Sequence, residues 1–105
     1  MAAPYNPPVK NEDFVIHICL EDMANPGSFL VSPPIAAGDF QVSQNGGSFA
    51  NLATLPTVEP SSSISVKIPL SATEMNTDEV FIKCVDQTTP KAWADFCFTI
   101  LTVQS

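Results

Sequence analysis

"VSQNGGSFANLATLPTVEP", Val42 to Pro60, carries the strongest structural signal in the chain. It reads as a strand, a glycine turn, a second strand and a proline-bounded exit. Asn45, Gly46 and Gly47 form the hairpin turn, because Asn and Gly supply the positive φ values that tight hairpin turns demand. Before the turn, "GDFQVS" places Phe40 and Val42 in phase. After it, "SFANL" returns as the partner strand, with Ser48, Ala50 and Leu52 alternating against Phe49 and Asn51. The segment holds no histidine and no metal-ligand cluster.

On either side of this hairpin the period stays at two, the strand signal. In "FVIHICL", Phe14, Ile16, Ile18 and Leu20 share one face, and Val15, His17 and Cys19 share the other. "EDMANPG" is a loop and "SFLVS" a short strand closed by Pro33 and Pro34. "ISVKIPL" turns Ile64, Val66, Ile68 and Leu70 inward. Pro69 within it cannot donate to a ladder, which marks an edge strand or a strand end. "SATEMN" fits one helical turn, with Ser71 and Glu74 spaced as a capping box. "EVFIKCVD" is a strand, and "WADFCFTILTV" is the last and longest, with Ala94, Phe96, Phe98 and Ile100 against Trp93, Asp95, Cys97 and Thr99.

Six or seven strands and no true helix predict an all-β fold, an Ig-like antiparallel β-sandwich, with a jelly roll as the other strand order to consider. Residues 1–13 form an extended Pro-rich N-terminal arm, since proline fixes φ and pushes its predecessor into extended geometry. Residues 14–105 form a single β-sandwich domain. At 105 residues the chain fits one domain able to bury a real core.

The charge excludes several classes of function. Eleven acids stand against four lysines, for a net charge of −7. Binding nucleic acid needs a basic footprint, and an anionic membrane surface needs one too. No segment resembles a signal peptide or is long enough to span a bilayer, so the expectation is a soluble protein made in a cytosol. Cys19, Cys84 and Cys97 are odd in number and sit in apolar strand-like runs, which predicts buried free thiols.

No residue set points to catalysis or to a cofactor. His17 is the only histidine and lies mid-strand between Ile16 and Ile18. A base needs a nucleophile and an orienting partner within reach. The acid pairs Glu21–Asp22 and Asp78–Glu79 read as solvated loop ends, because calcium loops space their ligands differently. Trp93 is either a core residue or an exposed aromatic contact. Tyr5, in the proline arm, is the better aromatic for touching another chain.

One resemblance extends this reading. A hairpin of the form G-D-x-x-V-S-x-(D/N)-G-G-x-F-x-N-L is carried here by Gly38, Asp39, Val42, Ser43, Asn45, Gly46, Gly47, Phe49, Asn51 and Leu52. A proline loop with Pro56 and Pro60 follows. Next comes L-(S/T)-A-(T/A)-E-M-N-x-D-x-V, at Leu70, Ser71, Ala72, Thr73, Glu74, Met75, Asn76, Asp78 and Val80, and last Asp86 and W-x-D at Trp93 and Asp95. This string resembles a recurrent domain of tailed-bacteriophage virion proteins, over roughly Phe29 to Thr102. The family has no catalytic residues to carry over.

The resemblance implies a non-enzymatic virion structural protein, located on the outer surface of the virion and assembled in the bacterial host cytoplasm. A fibre shaft, a long trimeric segment, is not expected in this chain. The leading expectation is therefore a capsid decoration (cement) protein that binds the major capsid protein and stabilises contacts between capsid subunits. The alternative is a tail-associated role as a fibre adaptor, baseplate or tail-tip module, with Trp93 and Asp95 as a glycan-facing pair. Pro4, Tyr5, Asn6, Pro7, Pro8 and Val9 are the expected partner-binding arm, by strand addition to a neighbour's sheet edge. A homo-oligomer, dimer or trimer, is also expected. No cofactor, nucleic acid or membrane is implied.

Overall fold

The computed structural model describes residues 7–103. Its strands are β1 (Phe14–Cys19), β2 (Phe40–Gln44), β3 (Ala50–Asn51), β4 (Thr57–Val58), β5 (Ser65–Leu70), β6 (Glu79–Cys84) and β7 (Phe96–Leu101). Every pairing between them is antiparallel. One sheet has the order β1-β5-β4 and the other β3-β2-β6-β7. In immunoglobulin lettering these are B-E-D and C′-C-F-G, so the sandwich is Ig-like and not a jelly roll.

Registers explain the core. β1 and β5 set Phe14 opposite Leu70, Ile16 opposite Ile68 and Ile18 opposite Val66. In the other sheet Val42 meets Ile82, and Val80 meets Ile100. A period of two sends these residues to one face of each sheet, and the two faces meet. Phe40, Val42, Val66, Ile68, Leu70, Val80, Ile82, Cys84 and Ile100 are buried there. Leu20, Met75 and Trp93 enter the same cluster from outside the strands. Full burial of one such aliphatic or aromatic side chain contributes roughly 1.5–3 kcal/mol, before the cost of ordering it.

The hairpin turn forms as its residues dictate. Asn45 has φ 48° and Gly46 φ 79°, and the Gly47 N–H donates to the Gln44 carbonyl at 2.9 Å. Two successive positive φ values closed by that bond make a type I′ turn. The return strand is shorter than the alternation predicts. Gln41 pairs with Asn51 and Val42 with Ala50, a register one residue out of step with the Gln44–Gly47 closure. The extra residue is a bulge around Ser48 and Phe49, and only Ala50–Asn51 is left as β3. The Ser43 hydroxyl donates to the Gly47 carbonyl at 2.7 Å inside this bend.

Other expectations need correction. Pro69 lies in the middle strand of its sheet, not at an edge, so of its two expected places it takes the strand end. It fits because β4 reaches only Lys67 and Val66, so the missing donor of Pro69 falls past the end of β4. "SFLVS" makes no strand. It contributes one bridge, Glu21 to Phe29. The last strand starts at Phe96 and is no longer than β1, β5 or β6. The reason is a change of partner: Asp22 bridges Trp93, and the Ala94 N–H donates to the Glu21 carbonyl at 3.0 Å. The chain thus bonds to the continuation of β1 before it crosses to β6.

The arm also differs from expectation. Val9 makes a parallel bridge to Val103. The Val103 N–H donates to the Pro8 carbonyl at 2.8 Å, and the Lys10 N–H donates to the Val103 carbonyl at 2.9 Å. Pro8 and Val9 therefore lie against the end of their own chain's last strand, with the Pro8 carbonyl committed there. Pro7 is exposed. Pro4, Tyr5 and Asn6 lie outside the described residues.

Candidate functional site

Of the motif residues, Asp39, Asn45, Ser71, Glu74, Asp86 and Trp93 form three small polar devices, whereas Phe49, Asn51, Asp78 and Asp95 are exposed. At one end of the sandwich, Asp39 and Asp86 are buried. Asp39 accepts from Ala36 N–H at 2.9 Å and from Gln87 N–H at 3.0 Å. Asp86 accepts from the Thr88 N–H at 2.9 Å, the Thr88 hydroxyl at 2.6 Å and the Ala92 N–H at 2.7 Å. Burial pushes the Asp86 carboxyl upward, but these bonds and one from the Trp93 N–H outweigh it and hold the group below its ordinary value.

Trp93 completes this end. It is 0% exposed, its ring lies 5.7 Å from Phe40, and its Nε1 donates to the Pro34 carbonyl at 2.9 Å. The expectation of an exposed aromatic contact at Trp93 is thus overturned, and with it the Trp93–Asp95 pair. Asp95 faces solvent and binds Lys91 at 2.6 Å.

The second device is the predicted capping box. The Ser71 N–H donates to Glu74 at 2.9 Å, and the Glu74 N–H donates to the Ser71 hydroxyl at 3.2 Å. The other Glu74 oxygen accepts from Ala53 N–H at 2.9 Å, so one carboxylate fixes a turn and the loop after β3. The third device is the hairpin tip, where the Asn45 side chain accepts from the Glu79 N–H at 3.0 Å. All three devices hold backbone, and none presents a group to a ligand.

Polar chemistry elsewhere is sparse. His17 Nδ1 and the Ser65 hydroxyl lie 2.9 Å apart on the outer face of the three-stranded sheet. Glu21 and Asp22 are turned onto their own loop, accepting from Gly27 N–H and Ala24 N–H. Among the described residues no group of three or more His, Cys, Asp or Glu side chains could hold a metal ion. No helix of the described residues is long and apolar enough to cross a membrane.

What the molecule does present is apolar surface. Val15, Met23, Phe29, Val31, Phe49, Leu55, Phe96, Leu101 and Val103 are large, apolar and exposed. Some of this surface is organised on the outer face of the four-stranded sheet. There Phe49 lies 5.9 Å from Phe81, and the Lys83 ammonium sits 4.2 Å above the Phe49 ring. Beside them Phe81, Lys83, Val85, Asp95, Phe96 and Cys97 line an open, mostly apolar cleft of about 490 Å³.

Phe49 lies on the face of Asn51, opposite Ala50 and Leu52, as the alternation in "SFANL" predicts; the bulge shortens the strand that carries it. All three thiols are free, but only Cys84 is fully buried. Cys19 is half-buried and Cys97 is exposed. Burial, and next the nearby Cys97, push the Cys84 thiol up to about 12.

No family model matches the chain, and neither a curated protein nor a solved structure matches it.

Proposed function

We propose that the protein is a bacteriophage virion structural protein, and that it acts as a capsid decoration (cement) protein seated on the major capsid protein. The sequence resemblance supplies the virion setting. The observation that carries the reading is where the shared residues go. Asp39, Asn45, Glu74, Asp86 and Trp93 are all spent on holding the sandwich together, while exposed apolar side chains are left on its surface. Phe49, Phe81 and the cleft beside them gather part of that surface in one place, the form a contact site takes.

The mechanism is physical. Each copy buries apolar area across a seam between capsid subunits, at about 25 cal/mol per Å². Many modest contacts on one shell add through multivalency. The arm contributes less than its sequence implies, because Pro8 and Val9 are bonded in their own chain.

A tail-associated role, as a fibre adaptor, baseplate or tail-tip module, is the second reading. It draws on the same apolar surface, but its glycan pair is gone now that Trp93 is buried. Labelling this chain on purified virions and imaging them by electron microscopy separates the two. Label spread over the head is the expected result. Label at the neck or tail tip favours the second reading, and virions without label overturn both.

A further inference from the structure

β7 is an edge strand of the four-stranded sheet. The Val103 N–H and carbonyl bond to the arm, on the side away from β6, whereas the Thr102 N–H donates to the Asp78 carbonyl. Backbone groups alternate along a strand. Cys97, Thr99 and Leu101 therefore point their N–H and C=O groups out of the open edge. The strand reads "FCFTIL", with no charge, no proline and no glycine. Edge strands are usually protected by such residues, and this one is not.

The described part of the arm does not extend the ladder. In its parallel course residue 8 would be the next donor, to the Leu101 carbonyl, and Pro8 has no N–H.

We propose that the open edge of β7 pairs antiparallel with β7 of a second copy, with Thr99 on the two-fold axis. In this register Cys97 of each copy lies opposite Leu101 of the other, and the three outward residues of each strand satisfy those of its partner. The contact is self-complementary, as a two-fold interface must be. Leu101, 68% exposed, arrives at the lip of the apolar cleft beside Phe81, Phe96 and Cys97. Each copy thus offers one knob and one hole at opposite ends of the same strand. Each chain carries a net charge of −7, so the uncharged β7 is a path along which two copies can approach, and added salt tightens the pair.

This interface does not depend on where the protein resides. Sedimentation equilibrium of the full chain, over a range of concentration and salt, tests it. The expected result is a reversible dimer. Thr99→Lys sets two like charges face to face and weakens association by at least about tenfold, while the melting curve of the monomer stays in place because Thr99 is exposed. In a Cys97→Ser background, Thr99→Cys cross-links into a dimer under mild oxidation. Three results overturn the proposal: a monomer at every concentration, a dimer indifferent to Thr99→Lys, or dimerisation only after removal of residues 1–6. The last would mean that the arm covers the edge.

Discussion

The Asp39–Asp86–Trp93 end of the sandwich and the β7 edge meet in the chain between Trp93 and Phe96, yet they are built in opposite ways. At the first, two buried carboxylates and an indole spend their polar atoms on backbone partners within the molecule. At the second, a six-residue strand leaves its outward backbone groups and its apolar side chains open. The polar residues that look most like chemistry in the sequence serve the fold. The bland apolar run "FCFTIL" holds the surface with something left to bind.

That contrast fails if substitutions at the closed end prove harmless. Trp93→Ala is expected to cost most, roughly 3–5 kcal/mol by denaturant unfolding, since it empties a large core site beside Phe40 and orphans the Pro34 carbonyl. Asp86→Ala follows at about 2–3 kcal/mol, because the Thr88, Ala92 and Trp93 N–H groups lose their acceptor.

Asp86 also gives the closed end a pH signature. Its folded pKa lies below the unfolded one. Its stabilisation is complete above the ordinary carboxylate value of about 4 and is lost as pH falls from there through the lower folded value. Melting temperature against pH should show this decline in the wild type, and a shallower acid limb in Asp86→Asn.

Smaller effects give the contrast finer grain. Glu74→Ala removes both the capping box and the tie to Ala53, for about 1–2 kcal/mol in the same unfolding measurement. Phe49→Ala, on the open face, should change stability by no more than about 1 kcal/mol and register in association or virion retention instead. The thiols divide along the same line. In a native alkylation time course followed by mass spectrometry, Cys97 should react first and Cys19 more slowly. Cys84, buried and with its pKa raised to about 12, should react only on unfolding.

Much of the fold was legible because it rests on local rules. Alternation located β1, β2, β5 and β6, the Asn45–Gly46 dipeptide demanded its turn, and Ser71 with Glu74 spelled out a capping box that forms as read. The errors arose where a long-range partner overrode the local pattern. Trp93 alternates with the outward set of β7, but its backbone pairs with Asp22 before β7 begins, and that pairing turns the ring inward. Cys97 sits in an apolar run yet faces out, because the inward phase belongs to Ile100. Pro8 and Val9 look like a free arm until Val103, far along the chain, supplies their partner.

The parallel bridge between Val9 and Val103 has a mechanical consequence. Two hydrogen bonds close it, both to Val103, and they lie where the chain enters and leaves the sandwich. Because the two segments run the same way, tension applied through both ends drags them past each other lengthwise. Both bonds are loaded together and must break together rather than unzip. A molecule pulled from the two sides of this bridge would therefore strain the latch in shear, and would keep the β1-to-β7 core untouched until it gave way.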